Sequence, residues 1–240
     1  MQTKTDETIR QQEAADNNAD LYKHMFEAHG VSFERSSELF HTSEQPLPFY
    51  SSIVTLKPAV SLQTINELIA NAPFSVFIKD SFADLPLEAL GFSTLFEASW
   101  FYLEAPVQAD TSGWQLISTP KQLESWEASW KNAGNQTDRA MFSPKQLNNP
   151  DFAFWGYSEG SEITKGFIGN HSGTSAGLSN FFAEDLSPHT FRQMTALLQK
   201  WKPKKPVTGY ARGDALLNAQ TAGFETSGKL KVWHKPYSGS

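Results

Sequence analysis

Apolar and polar positions divide the chain into two runs of short elements in a similar order. Residues 5–29 predict a helix, with Leu21, Met25 and Phe26 forming an apolar stripe and Gly30 a natural stop. "VSFERSSELF" and "FYSSIVTL" read as strands, split by a loop containing Pro46 and Pro48. "SLQTINELIA" opens at a Ser61 cap and places Leu62, Ile65, Leu68 and Ile69 on one face of a helix. "FSVFIKD" then predicts a short buried strand, "LPLEAL" a short helix and "GFSTLFEASWFYL" a long strand. In the second run "WQLIS" is a strand, and "TPKQLESWEASWKNAG" is a helix capped by Thr119, with Pro120 in its first turn and Gly134 at its end. "PDFAFWGYSEG", "SEITKGFIGN" and "SAGLSNFFAE" predict three antiparallel strands, with turns at Glu159-Gly160 and His171-Ser172-Gly173. "LSPHTFRQMTALLQKW" predicts a helix with Phe191, Met194, Leu197, Leu198 and Trp201 inward; "PVTGY" is a short strand. "ALLNAQTAGFETSGKLKVW" closes the chain with a helix, a Gly-Phe corner and a strand.

The two endings overlay without a gap. Phe74–Phe101 falls on Pro206–Trp233 at an offset of 132, and Gly91-Phe92 falls on Gly223-Phe224. Shared order and a shared corner favour an internal duplication. The corner itself is a folding device: a left-handed glycine closes the helix and the phenylalanine turns back into the core.

Composition narrows the classes. With 39% hydrophobic and 13% aromatic residues, the 240-residue chain predicts a packed globular protein. The absence of cysteine excludes disulfides, thiolate metal sites and a cysteine nucleophile. No apolar run approaches the length of a membrane span, and the polar, acidic start has no secretion signal, which predicts a cytoplasmic protein without membrane attachment. The patterns at Asn135 and Asn170 that match glycosylation sites are then coincidental. Residues 1–108 carry six Lys/Arg against fifteen Asp/Glu, and residues 109–240 carry fourteen against eleven. The shift coincides with "APVQADTSGW", so the expected division is an N-terminal half 1–108 and a C-terminal domain 109–240. The acidic half disfavours nucleic acid. Lys200, Lys202, Lys204 and Lys205 read as a solvated helix end. Six scattered histidines have no metal-ligand spacing, no G-x-S-x-G elbow is present, and "GNHSGTSAG" lacks the lysine of a phosphate loop and reads as a hairpin turn.

The order β–α–β–β–β–α–β–α–β in residues 114–233 resembles the GNAT-type acyl-CoA N-acyltransferase superfamily. "GYARGDALLNAQTAGFETSGKLKVW" looks like the superfamily's last helix, corner and closing strand; "AGLSNFFAE" sits where its central cofactor-contacting strand lies, and residues 31–103 look like a shorter second copy. The resemblance implies an α+β fold with largely antiparallel sheets and flanking helices, duplicated in one chain. It also implies acetyl-CoA or another acyl-CoA as the acyl donor, no metal, and a small-molecule or protein amine as acceptor; homodimerisation is left open. Two positions depart from the pattern. After Asn180 the sequence "FFAEDLSPHTFRQ" has no glycine where the superfamily places its pyrophosphate loop, and Glu184 and Asp185 stand there instead, ahead of a Ser187 cap and Pro188. Where many members carry a proton-donating tyrosine, four residues before the corner glycine, this chain has Ala219, and Leu87 in the first copy.

By the resemblance, Ser179, Asn180, Phe181 and Phe182 are the cofactor-binding candidates, through backbone groups that pair with an extended acyl-CoA arm. Tyr210 is a candidate acid, and Glu97, on the opposite strand face from Trp100, a candidate base. Arg212 and Asp214, just after a short strand, and Lys79 at the corresponding edge of the first copy are substrate-binding candidates. Asp214 equally fits a helix N-cap, and Lys79 beside Asp80 fits a solvated pair. Two functions compete: an acyl-CoA-dependent N-acyltransferase, or a binding or scaffold module on the same fold that has lost the pyrophosphate loop.

Overall fold

The computed structural model describes residues 2–160 and 162–237; Ser161, expected to open the strand "SEITKGFIGN", lies outside the described residues. The elements run α1 (Gln2–His29), β1 (Glu34–Arg35), β2 (Leu39–His41), β3 (Ile53–Thr55), α2 (Leu62–Ile69), β4 (Val76–Asp80), a 3-10 turn (Leu87–Leu90) and β5 (Ser93–Leu103). They continue with β6 (Trp114–Leu116), α3 (Pro120–Asn132), a 3-10 turn (Pro144–Asn148), β7 (Phe152–Glu159), β8 (Glu162–Ser172), β9 (Ser175–Ala183), α4 (Pro188–Trp201), β10 (Val207–Ala211), α5 (Gly213–Thr221) and β11 (Glu225–Lys235). This is a mixed α+β protein. Met1–Trp100 with Ser227–Ser240 form one compact unit and Phe101–Thr226 a second. The halves drawn at residue 108 from charge and order differ from these units in where 101–108 and 227–240 fall.

In the first unit β2 pairs antiparallel with β1 and β3, β3 parallel with β4, and β4 antiparallel with β11, from Lys231 opposite Asp80 to Lys235 opposite Val76. The segment expected as one strand at 31–40 is instead two short strands. Ser36 Oγ accepts from Glu38 N and Leu39 N at 3.1 Å each, a local turn that competes with continued extension. One apolar cluster gathers Ile65 of α2, Ile78, Leu87, Phe92 and Trp233. Helix α1 buries the expected stripe of Leu21, Met25 and Phe26, each at most 4% exposed, and small and amide side chains hold its earlier turns. Ala14, Ala15 and Ala19 are at most 1% exposed, and Gln11 Nε2 donates to Ser81 O and Lys229 O at 3.0 Å each. Gly228, at φ 123°, leaves room for that amide; a Cβ there would lie 2.6 Å from Gln11 Nε2.

The second unit is a meander. β6, β7, β8 and β9 pair antiparallel in that order, β9 pairs parallel with β10, and residues 101–103 of β5 follow next to β10. Helix α3 starts as its sequence dictates, with Thr119 and Gln122 closing a reciprocal capping box and Pro120 in the first turn. It covers one face, where Trp126 packs on Phe154 and Phe182 and donates to Trp155 O at 2.8 Å. Gly166 is tightly enclosed there, since a Cβ would come within 2.5 Å of Trp126 Nε1. Glu127 of the same helix is nearly enclosed and accepts from Met141 N (2.8 Å) and Phe142 N (3.3 Å), which fastens the loop after α3. Helices α4 and α5 cover the other face over Phe101, Phe167, Phe191, Met194 and Phe224.

Both Gly-Phe corners share one geometry. Gly91 N donates to Glu88 O and Phe92 N to Leu87 O; Gly223 N donates to Gln220 O and Phe224 N to Ala219 O. Each glycine has positive φ (80° and 112°) and each phenylalanine is 4% exposed. This is the paired hydrogen-bond closure of a helix C-terminus on a left-handed residue, at the same register in both corners.

Candidate functional site

The second unit is organised around the place where two parallel strands part. β10 pairs with β9 only through Val207 opposite Ala176 and Thr208 opposite Gly177. Two residues on, β9 bulges. Gly166 of β8 faces Phe182 and Ile168 faces Ser179, so two steps along β8 correspond to three along β9. Asn180 takes up the extra residue with φ 48°, a conformation that asparagine tolerates better than most side chains. Past the bulge β9 continues to Ala183, and a loop leads from it to α4.

Strand side chains point to the faces of a sheet, so the gap between diverging strands is lined by backbone. Phe182 is buried against Trp126 on the α3 side, at 5.1 Å between centroids, and half-buried Phe181 packs on Phe191 on the α4 side at 5.4 Å. Ser179 and Asn180 are half-buried, with Ser179 Oγ 3.5 Å from Ile168 O. These four expected cofactor-binding residues therefore stand together at the parting of the strands.

The loop from β9 to α4 has a different character. Glu184 and Asp185 are exposed. Ser187 caps α4, accepting from Thr190 N at 3.4 Å, and Thr190 Oγ1 donates to Asp185 O at 3.2 Å. From α5, Asn218 Nδ2 donates to Leu186 O at 3.0 Å and ties the loop to that helix. The neighbouring residue, Ala219, is fully buried. An extended acyl-CoA arm would be held by backbone of β9 beyond Gly177, the last residue in register with β10. The loop offers its pyrophosphate two carboxylates and a helix terminus already capped, which does not fit the glycine-lined cradle that the resemblance implies.

The remaining candidates are scattered. Tyr210 lies half-buried on β10. Exposed Arg212 is the N-cap residue of α5, without a side-chain cap bond. Asp214 falls in the first turn of that helix and not at its cap, because Gly213 starts the helix one residue earlier. There its charge still complements the helix terminus. Glu97 belongs to the first unit, where its carboxylate is 53% exposed and 3.3 Å from Lys231 Nζ, an ordinary surface ion pair. Lys79 is a correction: it is 3% exposed, not solvated, and Asp80 is fully buried. Lys79 Nζ donates to Asn18 Oδ1 at 2.9 Å and stands 4.9 Å above the Tyr22 ring, so helix α1 supplies its surroundings. Asp80 accepts from Leu85 N and Phe82 N; burial raises its pKa above the usual carboxylate value, and those backbone donors oppose the shift.

Of the lysines at the end of α4, Lys200 and Lys204 are exposed, as expected, and Lys202 and Lys205 are half-buried. Lys200 Nζ reaches Thr111 Oγ1 at 2.8 Å, Lys202 Nζ reaches Asp151 at 2.8 Å, and Lys205 Nζ bonds Gly173 O. Asp151 also meets His171 Nδ1 at 3.1 Å. The Lys202 ammonium and then His171 hold the Asp151 pKa below its usual value. His171 is the next-to-last residue of β8, which runs two residues into the expected turn, to Ser172, so the turn lies at Gly173-Thr174. The sequence had no signal for this cluster, since its members come from three distant segments.

A bulged central strand parting from its parallel neighbour, between a capped helix and a helix closed by a Gly-Phe corner, is the architecture of the GNAT-type acyl-CoA N-acyltransferases, and the chain has that fold. A GCN5-related N-acetyltransferase from Kribbella flavida superposes with a TM-score of 0.58 at 11% identity, over 92% of this chain and 96% of its own. Another from Sphaerobacter thermophilus gives 0.55 at 10% identity, over 94% and 93%. The N-myristoyltransferase of Saccharomyces cerevisiae, solved with myristoyl-CoA and inhibitors, gives 0.54 at 8% identity over 85% of this chain and 65% of its own. At such identities the likeness is one of fold. No protein-family model matches the sequence, and no curated protein matches it. Among the described residues no helix is long and apolar enough to cross a membrane.

Proposed function

We propose that the second unit binds an acyl-CoA in the gap between β9 and β10 and transfers its acyl group to an amine. The observation that carries this reading is the end of β9–β10 pairing at Gly177 and Thr208, followed by the bulge at Asn180. On this reading the backbone of Ser179–Phe182 pairs with the extended, amide-bearing arm, as in strand addition. The amine nitrogen attacks the thioester carbonyl, a C–N bond forms and the C–S bond breaks. The proton lost by nitrogen balances the one gained by the departing thiolate. Ala219 cannot donate that proton; Tyr210, on β10, is the nearest tyrosine by sequence, and we assign the donation to it. Arg212 and Asp214, at the carboxyl end of the same strand, are the side chains we assign to amine-substrate binding. We also read the matching corners as the mark of an internal duplication.

A second reading, a non-catalytic binding module, is favoured by the exposed Glu184 and Asp185, the capped α4 terminus and the Asn218 tie. Calorimetric titration with acetyl-CoA separates the two. Saturable heat, lost when an asparagine-to-proline change at Asn180 removes a backbone donor in the bulge, supports the acyltransferase. No heat at millimolar acetyl-CoA leaves the module. With binding in hand, release of CoA thiol in the presence of an amine panel tests transfer.

A further inference from the structure

We propose that the second unit carries a further binding site, for a small, uncharged, planar aromatic compound, on the sheet face under α4 and at the far end of that helix. The proposal stands apart from the acyl-CoA reading. The loop expected to meet pyrophosphate leads into α4 at Pro188, whereas this site lies at Trp201, the last residue of the helix. At about 1.5 Å of rise per residue the two ends of α4 are about 20 Å apart.

The floor of the site comes from small residues set side by side. Ala153 of β7 pairs with Gly169 of β8. Leu116 of β6 pairs with Trp155, and Ile117 N donates to Phe154 O at 2.9 Å, so Ser118 continues the same register opposite Ala153. Residues opposite one another in antiparallel strands share a face. For Gly169 that face lies under α4, since a Cβ there would be 2.6 Å from Leu198 Cδ2 and 3.2 Å from Trp201 Cζ3. The helix closes over the glycine and ends. Beside it remains a cavity of about 240 Å³, lined by Ala153, Ser118 and exposed Leu116, with Trp201 as one wall and Asn148 and Pro150 at the end of the 3-10 turn as another. The Trp201 wall is braced. Lys202 Nζ stands 4.7 Å from its ring centroid, and Asp151 holds that ammonium at 2.8 Å while also meeting His171. These charges neutralise one another outside the cavity. Among the described residues, none that lines it is ionisable. A charged ligand would lose its hydration without gaining a counter-ion, which selects an uncharged one. The polar lining is Ser118, Asn148 and Asn149, and Asn149 Oδ1 already accepts from Asp151 N at 2.9 Å. The matching ligand is therefore apolar apart from a single hydroxyl, amide or ring N–H. A cavity of about 150 Å³ holds benzene, so this larger one takes two fused rings. Aromatic pairs, stacked or edge-on, gain up to about tenfold in affinity beyond area burial, which favours a planar ligand against Trp201.

Calorimetry on the full chain with naphthol, its saturated counterpart decahydronaphthol and the anion naphthoate tests this directly. The expected result is saturable heat with naphthol, with decahydronaphthol weaker by up to about tenfold and naphthoate weaker by at least about tenfold. Ala153→Leu and Ser118→Phe each put a larger side chain into the floor and should lower naphthol affinity by at least about tenfold, because a filled cavity offers no volume to the ring. Ser118 is exposed, so Ser118→Phe leaves the core intact and decides the matter if Ala153→Leu does not fold. No heat with naphthol in the wild type overturns the proposal and leaves the acyl-CoA reading untouched. Naphthol affinity unchanged in folded Ser118→Phe overturns it too, since the ring then binds elsewhere. Decahydronaphthol or naphthoate binding as tightly as naphthol overturns the ligand class. Sedimentation velocity adds one more check: a wild-type dimer that Ser118→Phe dissociates assigns the cavity to a second copy of the chain and overturns a small-molecule site.

Discussion

Replacing Gly209 by alanine tests whether β9 and β10 approach as closely as the gap requires. The new methyl would meet Phe101 Cζ at 2.6 Å, and Leu178 O more closely. Carbon atoms rest at about 3.5 Å or more, so the ring alone would have to move by roughly 1 Å. Neither neighbour is free to do so. Phe101 is packed between Phe224 and Phe191, and Leu178 is held in β9 by its pairing with Gly169 of β8. Overpacking of a fixed site costs about 1–3 kcal/mol. Alanine recovers about 0.5–1 kcal/mol by restricting the unfolded chain. The net expectation is a loss of roughly 1–2 kcal/mol, which for a chain of this size lowers Tm by about 2–8 °C. Gly173→Ala is the matched control, because a Cβ there meets nothing within 4 Å. Differential scanning fluorimetry or calorimetry on both variants gives the comparison, with far-UV circular dichroism as a check on folding. A Gly209→Ala variant that melts with the wild type and with Gly173→Ala would refute the close approach.

Other substitutions probe the loops around the gap. Changing Glu184 to Gln and Asp185 to Asn together removes two exposed carboxylates from the β9–α4 loop. Because exposed charges are screened within a Debye length of about 8–10 Å, the expected gain in acetyl-CoA affinity is a few-fold and shrinks as salt is raised; calorimetry at two ionic strengths reads it, and unchanged or weaker binding contradicts a pyrophosphate at that loop. Glu127→Ala strips the acceptor from Met141 N and Phe142 N and should cost about 2–4 kcal/mol of stability in a urea titration, given about 1–3 kcal/mol for each buried donor left unpaired. A loss below about 0.5 kcal/mol would mean that the loop does not depend on Glu127. Asp151→Asn tests pH dependence. Since the folded pKa of Asp151 is lowered, by Lys202 first and His171 second, its contribution is present above the unfolded value of 3.8 and is lost as pH falls through the folded value. The difference in urea midpoint between wild type and variant should therefore be largest near neutral pH and vanish on acidification below 3.8; a difference that grows on acidification has the wrong sign for this account.

The fold was legible wherever its signals are local. Ser61, Thr119 with Pro120, and Ser187 with Pro188 start helices at the residues their chemistry indicates, and the Gly-Phe corners close with the expected left-handed glycines. What escaped was non-local. Lys79 and Asp80 look like a solvated pair because neither Asn18, 61 residues from Lys79, nor the α1 face that buries it can be inferred from the residues beside them. The pairing of β11 with β4 is equally silent, since an apolar alternation specifies a strand but not its neighbour. Asp151, His171 and Lys202 converge from the start of β7, the end of β8 and the end of α4 for the same reason.

The candidate site divides along the same line, and this bears on what kind of chemistry the protein performs. The corner at Gly223-Phe224 identifies the architecture from sequence because a folding constraint fixes it: Phe224 N must find Ala219 O, and Phe224 must be buried. Ala219 is part of that closure and is itself fully buried, so a side chain reaching from this position into solvent is not what the packing selects here. The gap between β9 and β10 is backbone geometry, set by a bulge at Asn180 that no side-chain pattern announces. An arm held by strand backbone needs few particular side chains, and the likeness of fold to N-acetyltransferases stands at 10–11% identity. The proton donor and the pyrophosphate contacts do need specific side chains or glycines, and those are the positions where this chain departs. Function, if it is acyl transfer, must then rest on positioning between strands and on a proton donor such as Tyr210 reached from β10, and Tyr210→Phe should lower turnover while leaving acetyl-CoA affinity within about twofold, because a hydroxyl that acts only in the transfer step contributes to kcat and not to ground-state binding. A Tyr210→Phe variant with unchanged kcat would assign the proton to solvent; a variant that loses affinity and turnover together would make Tyr210 a structural residue of the gap.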